Sequence, residues 1–141
     1  MIPPLLIGLL LALTMCGKKG PPLLPQEDFP YKIVDLTGGW GGGWILLKGE
    51  IDGLSGSEKA KEIMGCRVYY GQYPLENPPC DSCPIKYHGY HEFGSEVITE
   101  EGFLCRVPEN GDGQIYFFKV HLIGPEGVLG PPSNRTKVTV K

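Results

Sequence analysis

Glycine and proline punctuate this chain so densely that no window of a dozen residues carries helical periodicity without one of them: 21 glycines and 14 prolines stand in 141 residues. A glycine in a helix interior costs about 1 kcal/mol relative to alanine and a proline about 3, so long helices are excluded and short extended segments remain. The apolar runs at 31–36, 44–51, 66–71, 103–107, 115–123 and 137–140 are rich in β-branched and aromatic residues and are separated by turn residues. Runs of that kind predict an all-β chain folded as an antiparallel β-sandwich. The stretch 57–64, in which Glu58, Lys59, Ala60, Lys61 and Glu62 follow Ser57, is compatible with one or two helical turns or a polar loop.

Alternation assigns faces within the strands. Tyr116, Phe118, Val120 and Leu122 fall on one side and are expected in the core, whereas Lys119 and His121 fall on the other. Val68 and Tyr70 are expected to face inward from the third run. In Gly38-Gly39-Trp40-Gly41-Gly42-Gly43-Trp44 two large aromatics sit among residues without packing of their own. Trp44, entering a strand, is expected in the core. Trp40 is expected to cap the core's edge or to meet a partner or membrane.

Tyr116-x-Phe118-x-Val120-x-Leu122, followed by Gly124-Pro125-Glu126-Gly127, Gly130-Pro131-Pro132-Ser133 and a final strand, resembles the last two strands of a fibronectin type III domain. Cys66-Arg67-Val68-Tyr69-Tyr70-Gly71 is similar to that fold's third strand. The resemblance covers residues 30–141 and implies an immunoglobulin-like sandwich that binds or spaces and does not catalyse. No nucleophile elbow, phosphate-cradling loop or paired-carboxylate motif stands against that expectation, and no cofactor is implied.

The N-terminal segment indicates a compartment. Residues 2–15 are uncharged and mostly apolar, too short for a helix to cross a bilayer, which takes about 20 residues, but suited to a signal-peptide core. Cys16 follows, so residues 1–15 read as a lipoprotein signal peptide and Cys16 as the acylated first residue of the mature chain. Residues 16–29 then form a proline-rich tether, with Lys18 and Lys19 placed to meet anionic headgroups at about 1 kcal/mol each. Fully extended, thirteen residues (17–29) reach at most roughly 45 Å. Cys16-Gly17-Lys18-Lys19-Gly20-Pro21-Pro22-Leu23-Leu24-Pro25 resembles the opening signature of the LptM family of small outer-membrane lipoproteins. That resemblance implies binding to the lipopolysaccharide translocon through Cys16, Gly17, Lys19, Gly20, Pro21 and Pro25. Gly17, with no aspartate after the cysteine, implies sorting to the outer membrane.

The formal charge of −3, from 13 basic and 16 acidic residues, leaves no basic excess for nucleic acid. Four further cysteines, Cys66, Cys80, Cys83 and Cys105, in an oxidising compartment point to two disulfides with three possible pairings. One arrangement closes a short ring at Cys80 and Cys83 and leaves Cys66 and Cys105 to pair across the sandwich; a crossed one staples the loop to the sheets. Cys80 and Cys83 with His88 and His91 also have zinc-compatible donors, and Cys80-x-x-Cys83 has redox spacing, although no helix follows to lower a thiol pKa.

The sequence therefore predicts a non-catalytic outer-membrane lipoprotein whose periplasmic sandwich is a protein-interaction module and envelope-assembly accessory. The alternatives are an assembly factor of the lipopolysaccharide translocon acting through residues 16–25, and a periplasmic thiol-redox or zinc-binding protein.

Overall fold

The computed structural model describes residues 29–53 and 59–141. Cys16, Gly17, Lys19, Gly20, Pro21 and Pro25, with the expected signal peptide and tether, lie outside the described residues. Among the described residues nine strands follow one another: β1 Lys32–Gly41, β2 Trp44–Asp52, β3 Gly65–Pro74, β4 Gly89–Gly94, β5 Ile98–Thr99, β6 Gly102–Pro108, β7 Gln114–Ile123, β8 Leu129–Pro132 and β9 Thr136–Val140. The one helix-compatible stretch contains a short 3-10 turn at Lys59–Glu62. All six predicted runs are strands.

The strands form two antiparallel sheets. The first has the order β1-β2-β6-β5; the second has the order β4-β3-β7-β8, with β9 also on β7. Alternation along β7 and β2 places one side of each sheet in a shared core. Tyr116, Phe118, Val120 and Leu122 enter it from β7, Ile45 and Leu47 from β2, Cys66 and Val68 from β3, and Phe103, Cys105 and Val107 from β6. Each large aliphatic or aromatic side chain so buried contributes about 1.5–3 kcal/mol of transfer free energy. Among the described residues, every member of this cluster lies within residues 31–140. Tyr70 packs on its margin, half-buried.

Two details align the fold with the fibronectin type III and immunoglobulin-like sandwiches. The strand order matches the A-B-E-D and C′-C-F-G arrangement of that architecture. Near the start of β7, strand F of that scheme, the Tyr116 hydroxyl accepts a 2.9 Å hydrogen bond from the backbone N–H of Asn110, six residues upstream. That is the geometry of a tyrosine corner.

The last edge is broken between β8 and β9, and Ser133 fills the break. Its N–H donates to the Val120 carbonyl and its Oγ accepts from the Val120 N–H, both at 2.9 Å. The next residue turns to the other sheet. The Leu36 N–H donates to Asn134 Oδ1 at 2.8 Å and Asn134 Nδ2 donates to the Leu36 carbonyl at 3.0 Å, beside the register shift between Val34 and Thr37.

Phe117 points away from the shared core and is buried nonetheless. The connection from β3 to β4 crosses the outer face of the second sheet, Tyr73 packs edge-on against Phe117, and the Arg135 guanidinium lies 5.2 Å from its ring.

Candidate binding surface

The hairpin joining β1 to β2 turns through Gly42 and Gly43, both at positive φ (63° and 80°), as a two-residue turn that continues the strand twist requires. It closes the pair Gly41 and Trp44. From there Thr37, Gly39 and Gly41 lie opposite Lys48, Leu46 and Trp44, which in turn lie opposite Leu104, Arg106 and Pro108 of β6. Because Ile45 and Leu47 occupy the core, period-two alternation sends Trp44, Leu46 and Lys48 to the outside.

The expectation that Trp44 is a core residue is therefore corrected: it is 49% exposed. Trp40, opposite Ile45 beside the turn, is 42% exposed, and neither tryptophan belongs to the core cluster. The place of Trp44 at the entry to a strand argued for burial, and the strand register overruled it. An open groove of about 610 Å³ lies on the Trp44 face, floored by Gly39 and Gly41 and bounded by Trp44, Leu46, Lys48 and Arg106; Trp40 borders it from the strand position paired with the core residue Ile45. Among the described residues, no acidic side chain lines this groove. Among the described residues, the ion pairs are Arg67 with Glu92 and Lys137 with Asp81, so Lys48 and Arg106 present uncompensated positive charge beside exposed indoles. Such a surface fits a partner that offers apolar and acidic groups together.

The outer face of the second sheet is also aromatic, but its groups satisfy one another. Tyr69 meets Tyr87, Tyr90 and His121 at ring separations of 5.5–6.2 Å. The Lys119 ammonium lies 4.7 Å from the Tyr87 ring centroid, and the Arg67 guanidinium lies over Tyr90 while Arg67 Nη2 meets Glu92 at 2.6 Å.

Cys80 and Cys83 form the short disulfide ring. Arg135 holds it from outside, donating to the Cys83 carbonyl at 2.7 Å and to the Asp81 carbonyl, and Lys137 Nζ meets Asp81 Oδ1 at 2.9 Å. The Lys137 hydrogen bond and charge hold the Asp81 carboxyl below its usual pKa. In place of the second expected bridge, the structure has two free thiols: Cys66 and Cys105 are brought together across the core from opposite sheets and remain unbonded. Their mutual hydrogen bond, then burial, pushes the Cys66 thiol strongly up.

The zinc arrangement is not assembled. Both loop sulfurs are spent in the bridge, His88 Nδ1 accepts from the Gln72 N–H at 2.9 Å, and His91 stacks on Tyr70. Neither sulfur of the Cys80-x-x-Cys83 ring stands at a helix N-terminus, since Asp81 and Ser82 form a turn and no helix follows before β4.

Sequence reasoning singled out the two tryptophans but missed Leu46, Lys48, Leu104 and Arg106. The inward pair Ile45 and Leu47 carried the signal that could have found Leu46 and Lys48 beside Trp44.

The fold defines an antiparallel sandwich with a solvent-facing aromatic groove at one hairpin. Among solved structures the chain is similar to one described as "Myokine structure", at 12% identity and a TM-score of 0.51 over 79% of this chain and 97% of that one. A Fn3-like protein from Clostridium thermocellum matches at 10% identity and a TM-score of 0.42, over 76% of this chain and 88% of that one. No family model and no curated protein sequence matches the chain.

Proposed function

We propose that the chain is a non-catalytic outer-membrane lipoprotein, acylated at Cys16, whose periplasmic sandwich captures another envelope protein during envelope assembly. The observation that carries the binding role is the exposed Trp44 beside a glycine floor, with Trp40 at its border and with Lys48 and Arg106, which have no ion pair among the described residues, next to it. Exposed aromatics next to uncompensated cations are typical of sites whose energy is realised only on contact. The address rests on the apolar run before Cys16 and on the Cys16-Gly17-Lys18-Lys19-Gly20-Pro21 order.

Intact mass spectrometry of the protein isolated from membranes of a double-membraned bacterium tests the address: a chain beginning at acylated Cys16 supports it, and an uncleaved N-terminus rejects it. Crosslinking in the same cells tests the module. Adducts lost on Trp44→Ser and kept on deletion of residues 17–25 assign capture to the sandwich; the reverse pattern assigns it to the N-terminal segment and the lipopolysaccharide translocon.

A further inference from the structure

We infer that the outer face of the first sheet seats an α-helical segment of a partner protein, one that carries apolar side chains and then carboxylates along a single stripe. This deepens the reading of the sandwich as an interaction module and rests on it, but not on acylation of Cys16.

Strand register lays the face out as three rows of outward residues: Gly41, Trp44 and Pro108; Gly39, Leu46 and Arg106; Thr37, Lys48 and Leu104. The β1 column is nearly bare, since a Cβ on Gly39 or Gly41 would meet nothing within 4 Å. Trp44, Leu46 and Lys48 stand along that strip as a wall, apolar at the hairpin end and cationic at the other. Gly38 faces the opposite way, where a Cβ would meet Val138 and Thr136 of β9. The backbone edge of β1 is therefore flanked by β9, and the face is what a partner reaches.

Spacing along this wall matches a helix. Alternate residues of a strand are about 6.6 Å apart, and four residues of a helix rise about 6 Å. A helix lying along the bare strip brings residues i and i+4 beside Trp44 and Leu46, and residues i+7 and i+8 between Arg106 and Lys48. All four positions share one helical stripe, and a helix bonds its own backbone, so it needs no open strand edge. Glu50, the next outward residue of β2, is exposed and ends the cationic stretch, which confines the partner's carboxylates to i+7 and i+8. Grooves of this kind take the apolar face of an amphipathic helix.

Charge selects the occupant. Lys48 and Arg106 have no ion pair among the described residues, so carboxylates complement them. A second copy fits poorly, because the described residues form no α-helix and self-pairing of this face would oppose like charges.

The full chain, held in phosphatidylcholine vesicles, is titrated with the capped probe Ala-Phe-Ala-Gln-Ala-Leu-Ala-Gln-Glu-Glu-Ala-Ala-Gln-Ala-Ala. Both tryptophans of the chain border the groove, so their emission reports binding, and circular dichroism reports the helix of the probe. The expected result is saturable binding with a gain of helix. Proline in place of the alanine after leucine breaks the helix without touching the stripe, and binding should weaken at least roughly tenfold. A probe with lysine for both glutamates should be weakened similarly and should recover on the double variant Lys48→Glu, Arg106→Glu. Gly39→Ile should weaken the original probe while leaving the melting temperature equal or higher, which separates a filled strip from unfolding.

Equal binding of the proline probe, indifference to charge reversal or to Gly39→Ile, or no saturable binding at all overturns the proposal. Self-association that shields the tryptophans without peptide also overturns it, as does shielding on phosphatidylglycerol vesicles with no response to the probe. Crosslinked adducts lost on Trp44→Ser are read independently in cells, so the interaction reading stands or falls on them whether or not the helix docks.

Discussion

Asn134 serves as a strand residue for Leu36: one side-chain amide satisfies both the N–H and the carbonyl of a residue 98 positions earlier in the chain. Asp35, just before it, is held at a φ of 53°, a conformation that aspartate adopts more readily than most residues. The amide therefore ties the break between β8 and β9 to the irregular middle of β1, and so ties the two sheets.

Replacing Asn134 with alanine should cost about 1–3 kcal/mol, since two partly buried backbone groups lose their partner together. Urea denaturation should give a lower midpoint with an unchanged slope, as expected when native contacts and not the unfolded chain are altered.

Trp44→Ala should change stability by no more than about 0.5 kcal/mol, because the side chain stands outside the core. Phe118→Ala, at a fully buried site, should cost about 3–5 kcal/mol. Thermal melts of the two variants make the comparison. Tryptophan emission in the parent protein should be quenched readily by iodide.

Cys66 and Cys105 should resist iodoacetamide in the folded protein at neutral pH and react on unfolding, because burial and mutual hydrogen bonding favour the protonated thiols. The sign of the pH dependence follows. The folded state keeps its proton on Cys66 above the ordinary thiol value of 9.0, so this contribution is complete below that value and declines as pH rises through it. Melting temperature should fall between neutral and strongly alkaline pH, and Cys66→Ala should flatten that fall.

The Asp81 carboxyl has the opposite dependence. Its pKa lies below the ordinary 3.8 because of the Lys137 hydrogen bond, so the pair is complete above that value and is lost as pH falls through the depressed one. Amide exchange of residues 80–83 should accelerate in that acidic range and should lose this pH response in Lys137→Met.

Much of the sandwich was legible because β7 alternates, so that Tyr116, Phe118, Val120 and Leu122 declared one face. The inward pair Ile45 and Leu47 of β2 went unread, and Trp44 was placed inside instead. β4 was not legible: in Gly-Tyr-His-Glu-Phe-Gly the two polar residues sit side by side between aromatics that at most partly pack. Phe117 was not legible either, because its burial comes from Tyr73 and Arg135, far away in sequence. The end of β1 read as a glycine loop, since glycine carries no strand preference and pairing with β2 alone makes it a strand. The groove was half visible in its two tryptophans, whereas its cations became candidates only when the β2–β6 register put Arg106 beside Leu46.

β1 is at once the first strand of the sandwich and an outer one. Tension applied between the chain before Lys32 and a partner held at the β1–β2 hairpin is borne by the covalent backbone of that single strand. Tyr31, Ile33 and Leu36 anchor the same segment in the core, so the interior resists the strand's being peeled away.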